Sequence, residues 1–141
     1  MKLGINISQN RSFKSQIELL KKYGIEGTFV ASEHRELDSV ISCLNSNSIV
    51  CETLHAPFDK INDMWSDDDS LAEAMLSRLL DSVDKCAKYH IPVTVVHLSS
   101  GKPMPEINSA GEARYAKLFD YAQSKGVTVA LENQRFLENL S

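Results

Sequence analysis

The stretch Val93-Thr94-Val95-Val96-His97-Leu98, residues 93–98, decides the fold of this sequence. It is a short apolar run that follows Ile91-Pro92, and it predicts a β-strand. The run does not alternate between apolar and polar residues, which is typical of a strand covered on both faces in a parallel sheet. The polar segment 99–101 follows it, so we expect a loop there.

The same unit recurs along the chain, with a helical pattern between successive apolar runs. The runs that predict strands span residues 3–7, 27–31, 49–54, 93–98 and 127–131. Apolar residues at helical spacing separate them: Phe13, Ile17 and Leu20; Leu37, Val40, Ile41 and Leu44; Leu71, Met75, Leu79, Val83 and Cys86; Tyr115, Leu118, Phe119 and Ala122. Three helix-to-strand joints, at 23–25, 89–91 and 125–127, resemble one another. Because each parallel connection must cross over through a helix, this order predicts a parallel α/β sheet in one domain, residues 1–141.

Two architectures fit this order, an open doubly wound sheet and a (β/α)8 barrel. The first strand-to-helix turn, Ser8-Gln9-Asn10-Arg11, lacks the glycine fingerprint of a dinucleotide-binding site. This makes the nucleotide-binding, doubly wound alternative less favourable.

Composition narrows the class of protein further. The net charge of −4 argues mildly against nucleic-acid binding, and 43% hydrophobic residues are ordinary for a globular protein. Three cysteines without C-x-x-C spacing indicate small buried residues in a reducing compartment. The N-terminal residues contain no apolar run long enough for a signal peptide or a membrane span, so we expect a cytoplasmic protein without a membrane partner.

Polar residues end three successive predicted strands: His55, His97 and Glu132. Each alone has a structural interpretation, a hydrogen-bonded histidine or a glutamate paired with Arg135. In parallel α/β folds, however, strand ends of this kind meet at the active-site rim. Two imidazoles and a carboxylate form a zinc-compatible set with an open position, so the pattern predicts a shared metal-capable rim.

Other polar and aromatic residues have weaker interpretations. We expect His34 and His90 to be surface or capping residues, because they flank helices. Trp65, in a loop over the rim, would either stack on a sugar ring or pack the loop down. The acidic run 67–69 indicates the capped start of a helix.

Four motifs in this order resemble the xylose-isomerase-like barrel superfamily, more narrowly the sugar phosphate isomerase/epimerase proteins grouped with AP endonuclease family 2. The motifs are His55-Ala56-Pro57-Phe58, Ile61-Asn62-Asp63-Met64-Trp65, Val95-Val96-His97-Leu98-Ser99-Ser100-Gly101 and Ala130-Leu131-Glu132-Asn133-Gln134-Arg135. The resemblance implies a barrel of TIM type with a divalent metal at its mouth. Members are longer than 141 residues, so we expect a truncated barrel of about five βα strands.

The resemblance also implies roles for individual residues. In isomerases and epimerases of this type, the glutamate matched by Glu132 is a metal ligand and proton-transfer group. In endonuclease IV-like members, the histidines matched by His55 and His97 bind zinc. Further residues are expected to contact a sugar or sugar phosphate: His55, Trp65, Ser99, Ser100, Asn133 and Arg135, with His97 beside Glu132 as a catalytic residue.

Three functions follow as alternatives. The first is metal-dependent proton transfer next to a carbonyl, with Zn²⁺, Mn²⁺ or Mg²⁺ bound weakly or not at all in this chain, which we expect to be inactive alone. The second is endonuclease IV-like cleavage at abasic DNA, which the acidic balance disfavours. The third is a non-catalytic half-barrel that pairs with another chain. An unpaired sheet edge or an exposed barrel interior also predicts a homo-oligomer.

Overall fold

The computed structural model describes residues 4–101 and 103–132, in which five strands alternate with four helices. The strands are β1 (Gly4–Ile7), β2 (Gly27–Ala31), β3 (Val50–His55), β4 (Val93–His97) and β5 (Thr128–Glu132). The helices are α1 (Phe13–Lys22), α2 (Leu37–Ser46), α3 (Asp69–Lys88) and α4 (Ser109–Ser124). A short 3₁₀ helix, Ile61–Trp65, lies between β3 and α3. The predicted alternation is confirmed. No strand in the described part of the chain begins or ends more than one residue away from its expected position.

All five strands form one parallel sheet in the order β1-β2-β3-β4-β5. Each strand pairs with the next strand along the chain, as βα units do when they wind around a barrel. The register between β2 and β3 shifts at Thr28/Phe29. The described residues therefore form an incomplete parallel (β/α) barrel, and the predicted fold class is confirmed.

The core lies between the sheet and the helices. Val30, Leu54 and Val96 of the strands are almost fully buried, and Leu79 and Leu118 of the helices pack in the same cluster. The expectation that the apolar strands are buried on both faces is wrong for β1 and β5, where Ile5 is 45% and Leu131 is 47% exposed, because these strands form the two edges of the described sheet. Two residues placed on buried helical faces are also exposed, Leu71 and Phe119; in α3 the buried stripe begins at Ala72 instead.

Four helix-to-strand joints share one backbone conformation. Each places a residue in the left-handed region directly after the C-cap residue of the helix, and the next residue donates its N–H to a carbonyl five positions back. The left-handed residues are Gly24, Ser48, His90 and Gly126. Sequence similarity had indicated three of these joints; the fourth, at Ser48, was hidden in a polar cluster because neither glycine nor an aromatic residue marks it.

The interpretation of the acidic run as a helix cap is confirmed, and so is that of the cysteines as buried or half-buried residues. Asp68 caps α3, and its side chain accepts the N–H groups of Ser70 and Leu71. Cys51 and Cys86 are buried, and burial raises the pKa of their thiols to about 12 and about 11. Such thiols remain protonated and unreactive at neutral pH.

The prediction for His34 is half wrong. Its side chain is buried rather than on the surface, but its Nδ1 accepts the N–H of Glu36, the residue that precedes α2. His90 is exposed, as expected. Among the described residues, no helix is both long and apolar enough to cross a membrane.

Candidate metal centre

The register of the sheet brings the ends of three strands to one place. His97 of β4 is paired directly with Glu132 of β5, and His55 of β3 is paired with Val95, two residues before His97. Because side chains alternate between faces with a period of two, His55, His97 and Glu132 all point to the same face of the sheet. The three residues are therefore neighbours in space, as the sequence pattern predicted.

The donor atoms of these three residues form a compact triangle. The Nε2 atoms of His55 and His97 lie 3.1 Å apart. Oε2 of Glu132 lies 3.2 Å from Nε2 of His97 and 3.6 Å from Nε2 of His55. Ligands bound at about 2.0–2.1 Å in tetrahedral geometry are separated by about 3.3 Å, so the triangle has the dimensions of one face of a tetrahedral site.

The protonation states of the two rings also fit a metal site. Nδ1 of His55 lies 2.8 Å from the carbonyl oxygen of Ala56, to which it donates its proton. In the neutral ring this leaves a lone pair on Nε2, facing the triangle. Burial, and secondarily His55, lowers the pKa of His97, while Glu132 opposes this shift. His97 is therefore neutral at neutral pH, as a metal ligand must be.

Phe58 forms an aromatic wall over the histidines. Its ring stacks on His97 with centroids 4.9 Å apart, and it meets His55 edge-on at 5.6 Å. Phe58 belongs to one of the sequence motifs, but its packing against the two histidines was not predicted. Its position three residues after His55, at the start of the strand-to-helix loop, was the available signal.

Trp65 packs the loop down and also faces the rim. Its indole N–H donates to the carbonyl of Leu98 at 2.8 Å, and its ring lies against Gly111 of α4. Trp65 also lines a cavity of about 370 Å³ that Glu132 borders. The other lining residues are Leu98, Ser99, Met104, Pro105 and Ile107.

The two predicted serines differ in their surroundings. Ser99 lines the cavity, and its hydroxyl contacts the sulfur of Met104. Both backbone groups of Ser100 are occupied, since its N–H and its carbonyl are bound by the side-chain amide of Asn62. The N–H of Ser100 is thus not free for a substrate. Asn133 and Arg135 lie outside the described residues.

The rim carries a second polar cluster, which was not predicted from the sequence. Arg78 of α3 forms two hydrogen bonds with the carboxylate of Glu33, which follows β2, and also binds Asp59, which follows β3. Arg78 lowers the pKa of Asp59. The cluster ties two rim loops to a helix. Sequence reasoning could not find it because its members are separated by 19 and 45 residues.

Solved structures share this fold over nearly the whole chain. A D-tagatose 3-epimerase-like protein matches with a TM-score of 0.77 and 16% identity, over 98% of this chain and 55% of that protein. A D-psicose 3-epimerase from Clostridium cellulolyticum H10 matches with a TM-score of 0.74 and 19% identity, over 99% and 55%. A xylose isomerase domain protein from Planctomyces limnophilus matches with a TM-score of 0.71 and 11% identity, over 95% and 54%.

These comparisons establish the fold alone, because the sequence identities are too low to show a shared function. The chain spans about half the length of the structures it matches. No protein-family model matches the sequence, and no curated protein matches it. The resemblance to xylose-isomerase-like barrels that the sequence motifs indicated is confirmed at the level of the fold.

Proposed function

We propose that this chain carries part of the metal-binding rim of a sugar or sugar phosphate isomerase or epimerase. The observation that supports this most is the triangle of Nε2 of His55, Nε2 of His97 and Oε2 of Glu132, with sides of 3.1, 3.2 and 3.6 Å. The three residues would hold one divalent ion and leave a coordination position open for a substrate oxygen. The epimerases and isomerases among the structural neighbours support the choice of reaction class.

In this proposal Glu132 moves the proton, and the ion that it would share with the two histidines would fix its carboxylate. The side chain of Glu132 is 53% exposed and borders the cavity, so a bound sugar would reach it from solvent. A carboxylate placed there can take a proton from the carbon next to a carbonyl. A bound divalent ion would polarise the carbonyl and hydroxyl oxygens of the sugar. His97, whose side chain is only 4% exposed, would hold the ion from the buried side of the site.

The cavity beside Glu132 is the proposed place for the sugar. Trp65, which lines this cavity, offers an aromatic surface to a sugar ring, and the hydroxyl of Ser99 offers a hydrogen bond. These contacts distinguish no particular sugar. A phosphate group would need cationic partners, for which Arg135 is the candidate from the sequence.

Zinc and cobalt titrations by calorimetry and visible spectroscopy test the metal site. We expect wild-type protein to bind one equivalent, with cobalt giving the absorption of a tetrahedral site. Glu132→Gln and His55→Gln should each weaken binding at least tenfold, because each removes one of three ligands. His90→Gln is the matched control, since it removes an exposed histidine that precedes β4, at the opposite end of the strand from His97. Equal binding by wild type and Glu132→Gln would contradict the proposal.

Proton exchange tests the reaction class. Pentoses, hexoses and their phosphates are incubated with the protein and Mn²⁺ in D₂O, and NMR detects deuterium at the carbon next to the carbonyl. We expect the 141-residue chain to show no exchange, because it is expected to be inactive alone. Exchange that Glu132→Gln abolishes would contradict this inactivity and support the reaction class. Exchange that survives this substitution would contradict the proposed role of Glu132.

Cleavage at abasic DNA is the second candidate, because two histidines and a glutamate at strand ends also suit a zinc-dependent phosphodiesterase. The carboxylates of Glu33 and Asp59 at the same rim, and the net charge of −4, disfavour contact with a phosphate backbone. Retention on abasic DNA that falls steeply with salt would favour this candidate. Absence of retention at low salt would remove it.

A further inference from the structure

The backbone directly after His97 is held by side chains from distant parts of the chain. Strand β4 ends at His97, and residues 98–101 belong to no helix or strand, so their N–H and carbonyl groups need other partners. Asn62 binds both groups of Ser100, at 2.9 and 2.7 Å. The indole N–H of Trp65 binds the carbonyl of Leu98. The hydroxyl of Tyr115 lies 3.2 Å from the carbonyl oxygens of His97 and Leu98 and shares its proton between them.

These three side chains are themselves firmly anchored. Asn62 and Trp65 belong to the 3₁₀ helix, which buries Ile61 and Met64 completely. Arg114 of α4, itself buried, donates to the carbonyl oxygens of Met64 and Ser66. The 3₁₀ helix follows the strand of His55, and it therefore ties the end of β3 to the end of β4.

Building on the proposed metal site, we infer that Asn62, Trp65 and Tyr115 are positioning residues for His97. None of them has an atom in the triangle of donor atoms. They fix the backbone at and after His97, and so they set the direction in which its imidazole points. Because ligand atoms must lie within a few tenths of an ångström of the required geometry, a shift of this backbone would open the triangle.

Gln16 provides a matched control within the same molecule. Its side-chain amide binds the N–H and the carbonyl of Ser8, both at 2.9 Å, at the end of β1. This is the same pair of hydrogen bonds that Asn62 makes at the end of β4. Strand β1 contributes no residue to the triangle, so loss of the Gln16 pair should affect stability and not the metal site.

The experiment compares Asn62→Ala, Tyr115→Phe and Gln16→Ala with the wild type, all checked for folding by circular dichroism. Zinc affinity and the cobalt spectrum are measured for each protein. In metal-free protein, NMR measures the nuclear Overhauser effect between the rings of His55 and His97, whose centroids are 4.9 Å apart. Tyr115→Phe removes only a hydroxyl, so it keeps the test open if Asn62→Ala does not fold.

We expect Asn62→Ala and Tyr115→Phe to weaken zinc binding on the order of tenfold and to alter the cobalt spectrum. Both variants should also weaken the nuclear Overhauser effect between the rings of His55 and His97. Gln16→Ala should leave all three unchanged. Unchanged values in both rim variants, or an equal loss in Gln16→Ala, would overturn the inference. If the wild type binds no zinc, the proposed function fails. The nuclear Overhauser effect between the two rings, compared between wild type and the variants, then tests the positioning role by itself.

Discussion

The Nε2 atoms of His55 and His97 lie 3.1 Å apart, although 42 positions separate the two residues in the chain. Two imidazole nitrogens at this distance share at most one proton, and His55 already donates from Nδ1 to the carbonyl of Ala56. His97 then holds its proton on Nε2, and its Nδ1 is buried without a partner among the described residues. A metal ion bound to Nε2 of His97 would displace this proton, which the neutral ring would then carry on Nδ1.

Zinc should therefore stabilise the folded protein. At a free zinc concentration 100 times the dissociation constant, the free energy of unfolding should rise by about 2.7 kcal/mol, because only the folded state assembles the three donors. Urea denaturation with and without ZnCl₂ measures this. His97→Gln should lose the gain and His90→Gln should keep it. An equal gain in His97→Gln would point to binding elsewhere.

The left-handed joints predict opposite effects for two substitutions. Gly126 has φ of 69° and His90 has φ of 57° at equivalent positions. Gly126→Ala should lower the free energy of unfolding by about 1 kcal/mol, because a Cβ strains this conformation. His90→Gly relieves the same strain and should be neutral or stabilising, despite the entropy that glycine adds to the unfolded chain. Equal losses in both variants, measured by urea denaturation, would disprove this explanation.

Gly111 should tolerate no side chain. A Cβ at this position of α4 would overlap the indole ring of Trp65. Gly111→Ala should cost about 1–3 kcal/mol through overpacking, although alanine favours a helix. Ala110→Gly, at the exposed neighbouring position, is the comparison for helix propensity alone. Thermal denaturation of both variants separates the two effects, and a stabilised Gly111→Ala would show that Trp65 moves freely.

Burial of His34 predicts a loss of stability in mild acid. Burial lowers its pKa, with smaller contributions from Glu36, which raises it, and Arg35, which lowers it. Above the unfolded value of about 6.5 the contribution to stability is complete; below it the unfolded chain binds a proton that the folded state excludes, so stability falls. His34→Asn keeps an acceptor but does not titrate. It should show a smaller stability difference than wild type between about pH 7.5 and pH 5.5, measured by urea denaturation.

Self-association through a sheet edge remains a prediction. Within the described residues, β1 and β5 each pair with one neighbour only, and Ile5 and Leu131 on these strands are 45% and 47% exposed. Such edges favour pairing with another chain. Sedimentation velocity should show a dimer or a larger assembly at high micromolar concentration, reduced by Ile5→Lys. A monomer at that concentration would also exclude the alternative of a half-barrel that pairs with a second copy.

Much of the fold was predictable because its signals are local. The apolar run at 93–98 and the acidic cap at Asp68 act through neighbouring residues, so the sequence shows them directly. The strand ends at His55, His97 and Glu132 were predictable as well, since a parallel sheet places equivalent ends on one side. The burial of His34 was not predictable, because its neighbours in the chain, Glu33 and Arg35, are charged and gave no signal of a buried position.

The amino-acid sequence by itself determined the order of strands and helices and the residues that end each strand, because hydrophobic periodicity and capping depend on residues a few positions apart. Only the tertiary structure decided that three donor atoms come within 3.6 Å of one another and that Asn62 clamps Ser100. These contacts join residues 35 or more positions apart, and side chains of many types could make them. Their geometry follows from register, loop packing and burial together, none of which a single segment encodes.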